Sequence, residues 1–136
     1  MIGVLVDTSV WIEYFGENKE ALPEVDMLHD LLLNNQKILL CPIIYQEILQ
    51  GIREEKVYKD MKEIMESYHM LDFDILEVTK NAIDLYRGLR KKGVTIRKPY
   101  DCLIATYANM AKVPLLHNDS DFENMEKHGK IKVYRG

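Results

Sequence analysis

Cysteine is scarce in this chain, with two residues in 136. Cys41 and Cys102 lie far apart with no metal-ligand spacing, which excludes a zinc ribbon, a thiolate cluster and a disulfide framework. Cys41 stands beside an apolar run and Cys102 inside one, so the sequence predicts two buried free thiols and a reducing, cytoplasmic setting. Long hydrophobic runs are missing as well; none approaches the roughly 18 to 20 residues of a membrane span. The opening MIGVLVDTSV is apolar but has no basic flank and soon meets Asp7, so it does not read as a signal peptide. Positive charge is not in excess. The 18 Lys and Arg against 22 Asp and Glu give a net charge of −4, which argues against a general nucleic-acid coat. There is no internal repeat, low-complexity tract or Pro/Gly/Ser-rich linker, and the expectation is one domain spanning residues 1–136.

What is present is a chain of short apolar runs alternating with amphipathic segments. IGVLV (2–6) reads as a strand buried on both faces, KILLC (37–41) and VPLLH (113–117) as further short apolar strands, and HMLDFDIL (69–76) as a third strand region with its exit. KIKVYR (130–135) alternates and reads as a more exposed terminal strand. Between them, helices are expected from Asp7-Thr8-Ser9 onward with Trp11, Ile12 and Phe15 inward, and over Pro23–Asn35. Further helices are expected from Pro42, over Glu54–His69, over Glu77–Lys92 up to Gly93, and from Pro99. The inward stripes would carry Val57, Met61, Ile64, Met65 and Tyr68 in the fourth of these and Val78, Ile83, Leu85, Tyr86 and Leu89 in the fifth. Residues 16–22 and 93–98 read as flexible loops, and NDSDF as an acidic turn. Strand–helix alternation of this kind specifies an α/β fold with a central parallel sheet flanked by helices.

One helix breaks its own pattern. In PIIYQEILQG (42–51), Ile43, Ile44, Ile48 and Gly51 recur at helical spacing, and Glu47 lies on that same stripe. Four further acids fall in comparable places. Asp7 ends the first apolar run, Asp119 and Asp121 follow the fourth, and Asp101 sits in the first turn of the helix opened by Pro99. Singly, each of those has an ordinary explanation: a helix cap for Asp7, dipole compensation for Asp101, an Asx turn for Asp119 or Asp121. Together they converge beyond the carboxyl ends of the strands, where open α/β sheets bind ligands. Clustered carboxylates repel at low dielectric and would take up protons; a divalent cation removes the conflict. An all-oxygen set without Cys or His clusters points to Mg²⁺ or Mn²⁺ rather than zinc. Phosphodiester hydrolysis suits such a site, since it needs no Ser or Cys nucleophile.

The segments VDTSVWIEYF, CPIIYQEILQG, YDCLIATYA and LLHNDSDF carry a resemblance that spans essentially the whole chain. In their order and spacing they resemble the PIN-domain ribonucleases, and within these the VapC toxins of prokaryotic type II toxin–antitoxin systems. The resemblance implies an α/β/α sandwich, a Mg²⁺- or Mn²⁺-dependent endoribonuclease, a homodimer and a small VapB-like antitoxin. It implies Asp7, Glu47, Asp101 and Asp119 as the acidic quartet, supported by Thr8 or Ser9. Asp119 and Asp121 flank the same turn and both are candidate metal residues; Asp119 is favoured as the nearer, with Asp121 orienting the loop or standing behind the direct ligands. His117 departs from the family pattern, which often has Thr or Ser there. Packing or hydrogen bonding suits it better than a metal role among hard oxygen ligands.

Two further features stay open between a plain and a functional reading. Arg87, Arg90, Lys91, Lys92, Arg97 and Lys98 form a stretch without an acid, either a solvated helix end or a patch that contacts RNA phosphates. Trp11, Tyr14 and Phe15 form a stripe for core or dimer packing, or line the groove in which the resemblance places an antitoxin tail. Other classes fit less well. A haloacid-dehalogenase-like phosphatase would want an acid where Ser9 stands, and a response-regulator receiver an acidic pair before the first helix. A catalytically silent interaction domain would not need all four acids. The RNA target, whether transfer, ribosomal or messenger, is not written in these motifs, nor is the number of metal ions.

Overall fold

Two three-residue apolar runs, VLV and ILL, are too short to fold alone and are stabilised by pairing with each other inside the molecule. In a computed structural model, which describes residues 2–16 and 22–136, these runs are β1 (Val4–Val6) and β2 (Ile38–Leu40), both fully buried. With β3 (His69–Met70) and β4 (Leu115–Leu116) they form a parallel sheet in the order β3-β2-β1-β4. Leu5 pairs with Leu39 on one side and Leu115 on the other. All three side chains are fully buried, and each contributes roughly 1.5–3 kcal/mol by leaving water.

Seven helices complete the described residues: α1 (Thr8–Phe15), α2 (Pro23–Leu33), α3 (Pro42–Gln50), α4 (Glu55–Glu66), α5 (Ile75–Lys91), α6 (Tyr100–Ala111) and α7 (Ser120–Lys127). The architecture is the flanked parallel sheet expected from the sequence. Among the described residues, no helix is long and apolar enough to cross a membrane. Helix α6 is the most enclosed element, burying Cys102, Ile104, Ala105, Tyr107, Ala108 and Ala111. It packs against α5, α3 and α7. Cys41 and Cys102 are both free and buried.

Local chemistry sets the boundaries. Helix α5 starts at Ile75, two residues before the sequence expectation, because Asp74 caps it and accepts the Glu77 N–H at 3.0 Å. The Asp-x-x-Glu spacing is the readable signal. At its other end Gly93 takes φ +82° and donates its N–H to the Arg90 carbonyl at 3.0 Å, a left-handed position that suits glycine.

Several expectations are corrected. KIKVYR is not a strand: only Val133 bridges to Leu115, because β4 is two residues long and offers Leu115 alone on that side. NDSDF is not merely a turn, since Ser120 opens α7. Ile83 is 51% exposed; the buried stripe of α5 runs through Val78, Ala82 and Leu89, and Ile83 falls about 100° around the helix from Ala82. Val57, Ile64, Ile12 and Phe15 are likewise exposed at the margins of their stripes, and Gly51 ends α3 in the open. Of the two expected loops, residues 17–21 lie outside the described residues. Residues 93–98 do form a loop, but Ile96 is buried in the core and the backbone N–H groups at 97 and 98 are bonded to Asp121.

Candidate active site

The strand order reverses its growth between β1 and β4: β2 and β3 extend one side of β1, and β4 takes the other. That switch point is where an open parallel sheet leaves a crevice beyond its carboxyl ends. Asp7 leaves β1 there, its N–H bonded to the Leu116 carbonyl of β4 at 2.9 Å. Its carboxylate caps α1, with Oδ2 accepting the Ser9 N–H at 3.1 Å and the Ser9 hydroxyl at 2.7 Å. The Ser9 oxygen in turn accepts the Asn118 N–H at 3.0 Å, so one serine ties the turn after β1 to the loop after β4. Thr8 donates its hydroxyl to Glu47 Oε1 at 3.1 Å. Glu47 is half-buried rather than dry; it stands on the second turn of α3 at the lip of the crevice, and Thr8 fixes its carboxylate.

The other wall is built from α6 and α7. Asp101, in the first turn of α6, is 2% exposed, and Asp121, in the first turn of α7, is 1% exposed. Asp119 caps α7 by accepting the Asp121 N–H at 2.9 Å. One carboxylate oxygen from each of Asp101, Asp119 and Asp121 lies within 4.8 Å of the others. This trio is the tightest acidic group among the described residues. It differs from the quartet of the sequence reading by including Asp121 and leaving Asp7 and Glu47 across the crevice.

Within the trio the roles divide by hydrogen bonding. Both Asp121 oxygens are taken by backbone, Oδ1 by the Arg97 N–H at 3.2 Å and Oδ2 by the Lys98 N–H at 3.1 Å. Asp119 Oδ2 accepts the Lys98 ammonium. Asp101 Oδ2, by contrast, is buried and has no hydrogen-bond partner among the described residues; Lys98 Nζ stands 3.6 Å from it. His117 accepts the Asp119 N–H on Nδ1 at 3.2 Å and packs its ring on Phe122 with centroids 5.3 Å apart. Its ring therefore serves the loop after β4.

The electrostatics follow this layout. Burial pushes the Asp101 carboxyl up to about 8, reinforced by the adjacent Asp121 carboxylate and only partly opposed by Lys98. Burial also raises Asp7 and Glu47 against the hydroxyls of Ser9 and Thr8, and each feels the negative charge of Asp119. Burial acts upward on Asp119 too, but the bonds from Lys98 and the Asp121 N–H outweigh it, and this carboxyl ends below its ordinary value. Burial holds His117 below the usual histidine value, despite the acids around it. An unpartnered buried oxygen among hard-oxygen groups that resist ionising together is the donor set a divalent cation completes.

The basic stretch splits. Arg97 and Lys98 turn to the acids; the Arg97 guanidinium bonds Ser120 Oγ at 2.8 Å and lies 3.9 Å from Asp119. Arg87, Arg90, Lys91 and Lys92 remain exposed at the end of α5. The aromatic stripe also divides. Trp11 is 1% exposed, stacks on Phe15 at 5.7 Å and meets Tyr14 edge-on at 6.4 Å. Trp11 and Phe15, with Ile48, Val57 and Met61, line an apolar groove of about 440 Å³ that reaches Glu47. Sequence reasoning passed over Lys98 as a member of the site and Asn118 as its cross-link. For Lys98 the signal is its place three residues before Asp101, across Pro99 from the helix start.

Comparison with known proteins agrees with this fold. The family model described as PIN domain matches residues 4–128. The chain is 30% identical over 120 residues to ribonuclease VapC11 of Mycobacterium tuberculosis, covering 88% of this chain and 89% of that one. It is 32% identical over 135 residues to ribonuclease VapC1 of Methanocaldococcus jannaschii, covering 96% and 86%. Its fold matches that of a chain in DNA-bound VapBC from Salmonella typhimurium with a TM-score of 0.74, at 19% identity and 98% coverage of both chains. The protein belongs to the PIN domain family and, within it, to the VapC group.

Proposed function

We propose that this chain is the toxin of a VapBC-type pair, an endoribonuclease that hydrolyses RNA phosphodiester bonds with Mg²⁺ or Mn²⁺. The observation that carries the metal reading is the buried Asp101 Oδ2, without a hydrogen-bond partner among the described residues, in the group that Asp101 forms with Asp119 and Asp121. The ribonuclease and toxin reading is supported by the relatives named above. Asp7, Glu47, Asp101 and Asp119 would hold the ion, and Asp121 keeps the 97–98 loop in place. When bound, the ion supplies charge neutralisation at the phosphate and activation of water. Ser9 and Thr8 orient the Asp7 and Glu47 carboxylates, and His117 holds the backbone of Asp119. Purified protein freed of its antitoxin should cleave RNA with either ion and stop on addition of EDTA; cleavage that persists in EDTA would refute the metal part.

Glu47 gives a sharper test. Glu47→Gln lowers metal-dependent cleavage by about tenfold or more by removing one charge at the lip of the site. Glu47→Leu does the same while raising thermal stability, because it takes a raised, half-buried carboxylate off an apolar stripe. A Leu variant with wild-type cleavage would remove Glu47 from the machinery.

RNA contact falls to Arg87, Arg90, Lys91 and Lys92, where exposure leaves the cations open to phosphates. Neutralising Arg90, Lys91 and Lys92 together should weaken RNA binding and reduce the salt slope, by roughly one for each phosphate that no longer meets a cation. An unchanged slope means that this helix end is only solvated. The antitoxin, VapB-like, would lay an apolar segment in the groove of Trp11 and Phe15 and direct a basic side chain toward Glu47, a pairing favoured by charge. Tyr14 supports Trp11 edge-on behind that groove. A homodimer would cover the apolar face between α5 and α6, where Ile83 and Tyr100 are exposed. In this reading residues 1–136 act as one PIN-like domain in the cytoplasm, where Cys41 and Cys102 stay reduced.

A further inference from the structure

We propose that the Lys98 ammonium is a tethered occupant of the metal position: in the metal-free chain it stands between Asp101 and Asp119, and a divalent ion binds by displacing it. The inference rests on the metal reading above and adds to it a competitor built into the chain. Lys98 Nζ bonds Asp119 Oδ2 and lies 3.6 Å from the unpartnered Asp101 Oδ2. It also feels the charge of Asp7. Among the described residues no other cation is so placed: Arg97, its neighbour, lies 3.9 Å from Asp119 and 3.7 Å from Asp121 and bonds Ser120, but its side chain is 68% exposed and the ion pairs place Lys98, not Arg97, beside Asp101.

The backbone makes this a side-chain device. The Lys98 N–H is held by Asp121 Oδ2 at 3.1 Å and Pro99 follows it, so the Cα is fixed while the four-carbon stem is not. That side chain is 39% exposed, which gives the ammonium a way out to solvent without any opening of the fold. A tethered cation competes at an effective concentration of about millimolar or above, so it weakens metal binding by a constant factor. It also neutralises part of the acidic cluster when no metal is bound. Displaced, it reaches the mouth of the crevice with its charge intact.

Mn²⁺ binding to the antitoxin-free full-length chain, read by loss of the free-ion electron paramagnetic resonance signal, tests this with Lys98→Met and Arg97→Met. Lys98→Met should bind Mn²⁺ at least about tenfold more tightly than wild type. Arg97→Met, which removes a cation that approaches Asp119 and Asp121 from the exposed side and is not paired with Asp101, should gain no more than about threefold. Equal affinity in Lys98→Met and wild type, or an equal gain in Arg97→Met, overturns the proposal while leaving the metal reading intact. No Mn²⁺ binding in any of the chains overturns both. A second measurement needs no variant to fold. In wild-type protein with ¹⁵N-labelled lysine, one ammonium resonance should shift during a Mg²⁺ titration along the binding curve. A site that fills with Mg²⁺ while every lysine resonance stays still overturns the proposal.

Discussion

Asp101→Asn eliminates RNA cleavage, by at least about a hundredfold in rate, and yields a metal-free protein that melts at a higher temperature than wild type. The two effects share one cause. Asp101 is 2% exposed, its Oδ2 has no hydrogen-bond partner among the described residues, and burial pushes its carboxyl up to about 8. In the folded metal-free chain an ionised carboxylate at this place is a liability that only Lys98 partly offsets. An amide of the same shape removes that liability, and each kcal/mol regained raises the melting temperature by about 2–8 °C in a domain of this size class. The same amide is a poor ligand for a hard cation. Cleavage and the stabilisation that Mn²⁺ confers should therefore disappear together. A variant that melts lower and still cleaves RNA would show that Asp101 is structural.

Asp121→Ala behaves in the opposite way, and the contrast is diagnostic. Asp121 is as deeply buried, yet its two oxygens are filled by the Arg97 and Lys98 N–H groups. Removing them leaves two backbone donors without partners and releases the loop that carries Lys98. The expected cost is about 2–4 kcal/mol, read as a lower urea midpoint with an unchanged slope. Cleavage falls as well, because the 97–98 loop beside Asp101 and Asp119 is no longer held in place. Adding Mn²⁺ should not restore stability to the wild-type value. If Asp121→Ala keeps its urea midpoint and loses only metal binding, the assignment of Asp121 as the loop's anchor is wrong.

Much of this was legible in the residues. The four apolar runs named the strands, and Pro42 named the start of α3. Asp7 was legible both as a cap and as an acid at a strand end, and it is both; the two readings do not compete, since both capping bonds fall on Oδ2. Glu47 was legible as an anomaly on an apolar stripe, and its bond from Thr8 could not be read from sequence because it spans 39 positions. What was hidden depended on tertiary contact. Helix α7 was missed because its sequence, SDFENMEK, is mostly polar, with Phe122 and Met125 alone buried on its apolar face. KIKVYR read as a strand from its alternation, but a strand needs a partner of equal length, and β4 supplies one residue. Lys98 read as one more cation in a basic run; only the fold of the 93–98 loop onto Asp121 turns it inward.

The central claim is that the acids of the switch-point crevice act as a divalent-metal site for RNA hydrolysis. The direct measurement is Mn²⁺ binding and RNA cleavage on one preparation of antitoxin-free protein, over one series of Mn²⁺ concentrations, for wild type and Asp101→Asn. The prediction is that wild-type cleavage rises along the binding curve, with both absent in the Asn variant. Cleavage that is already complete before the ion binds, or binding that survives in Asp101→Asn, would contradict it.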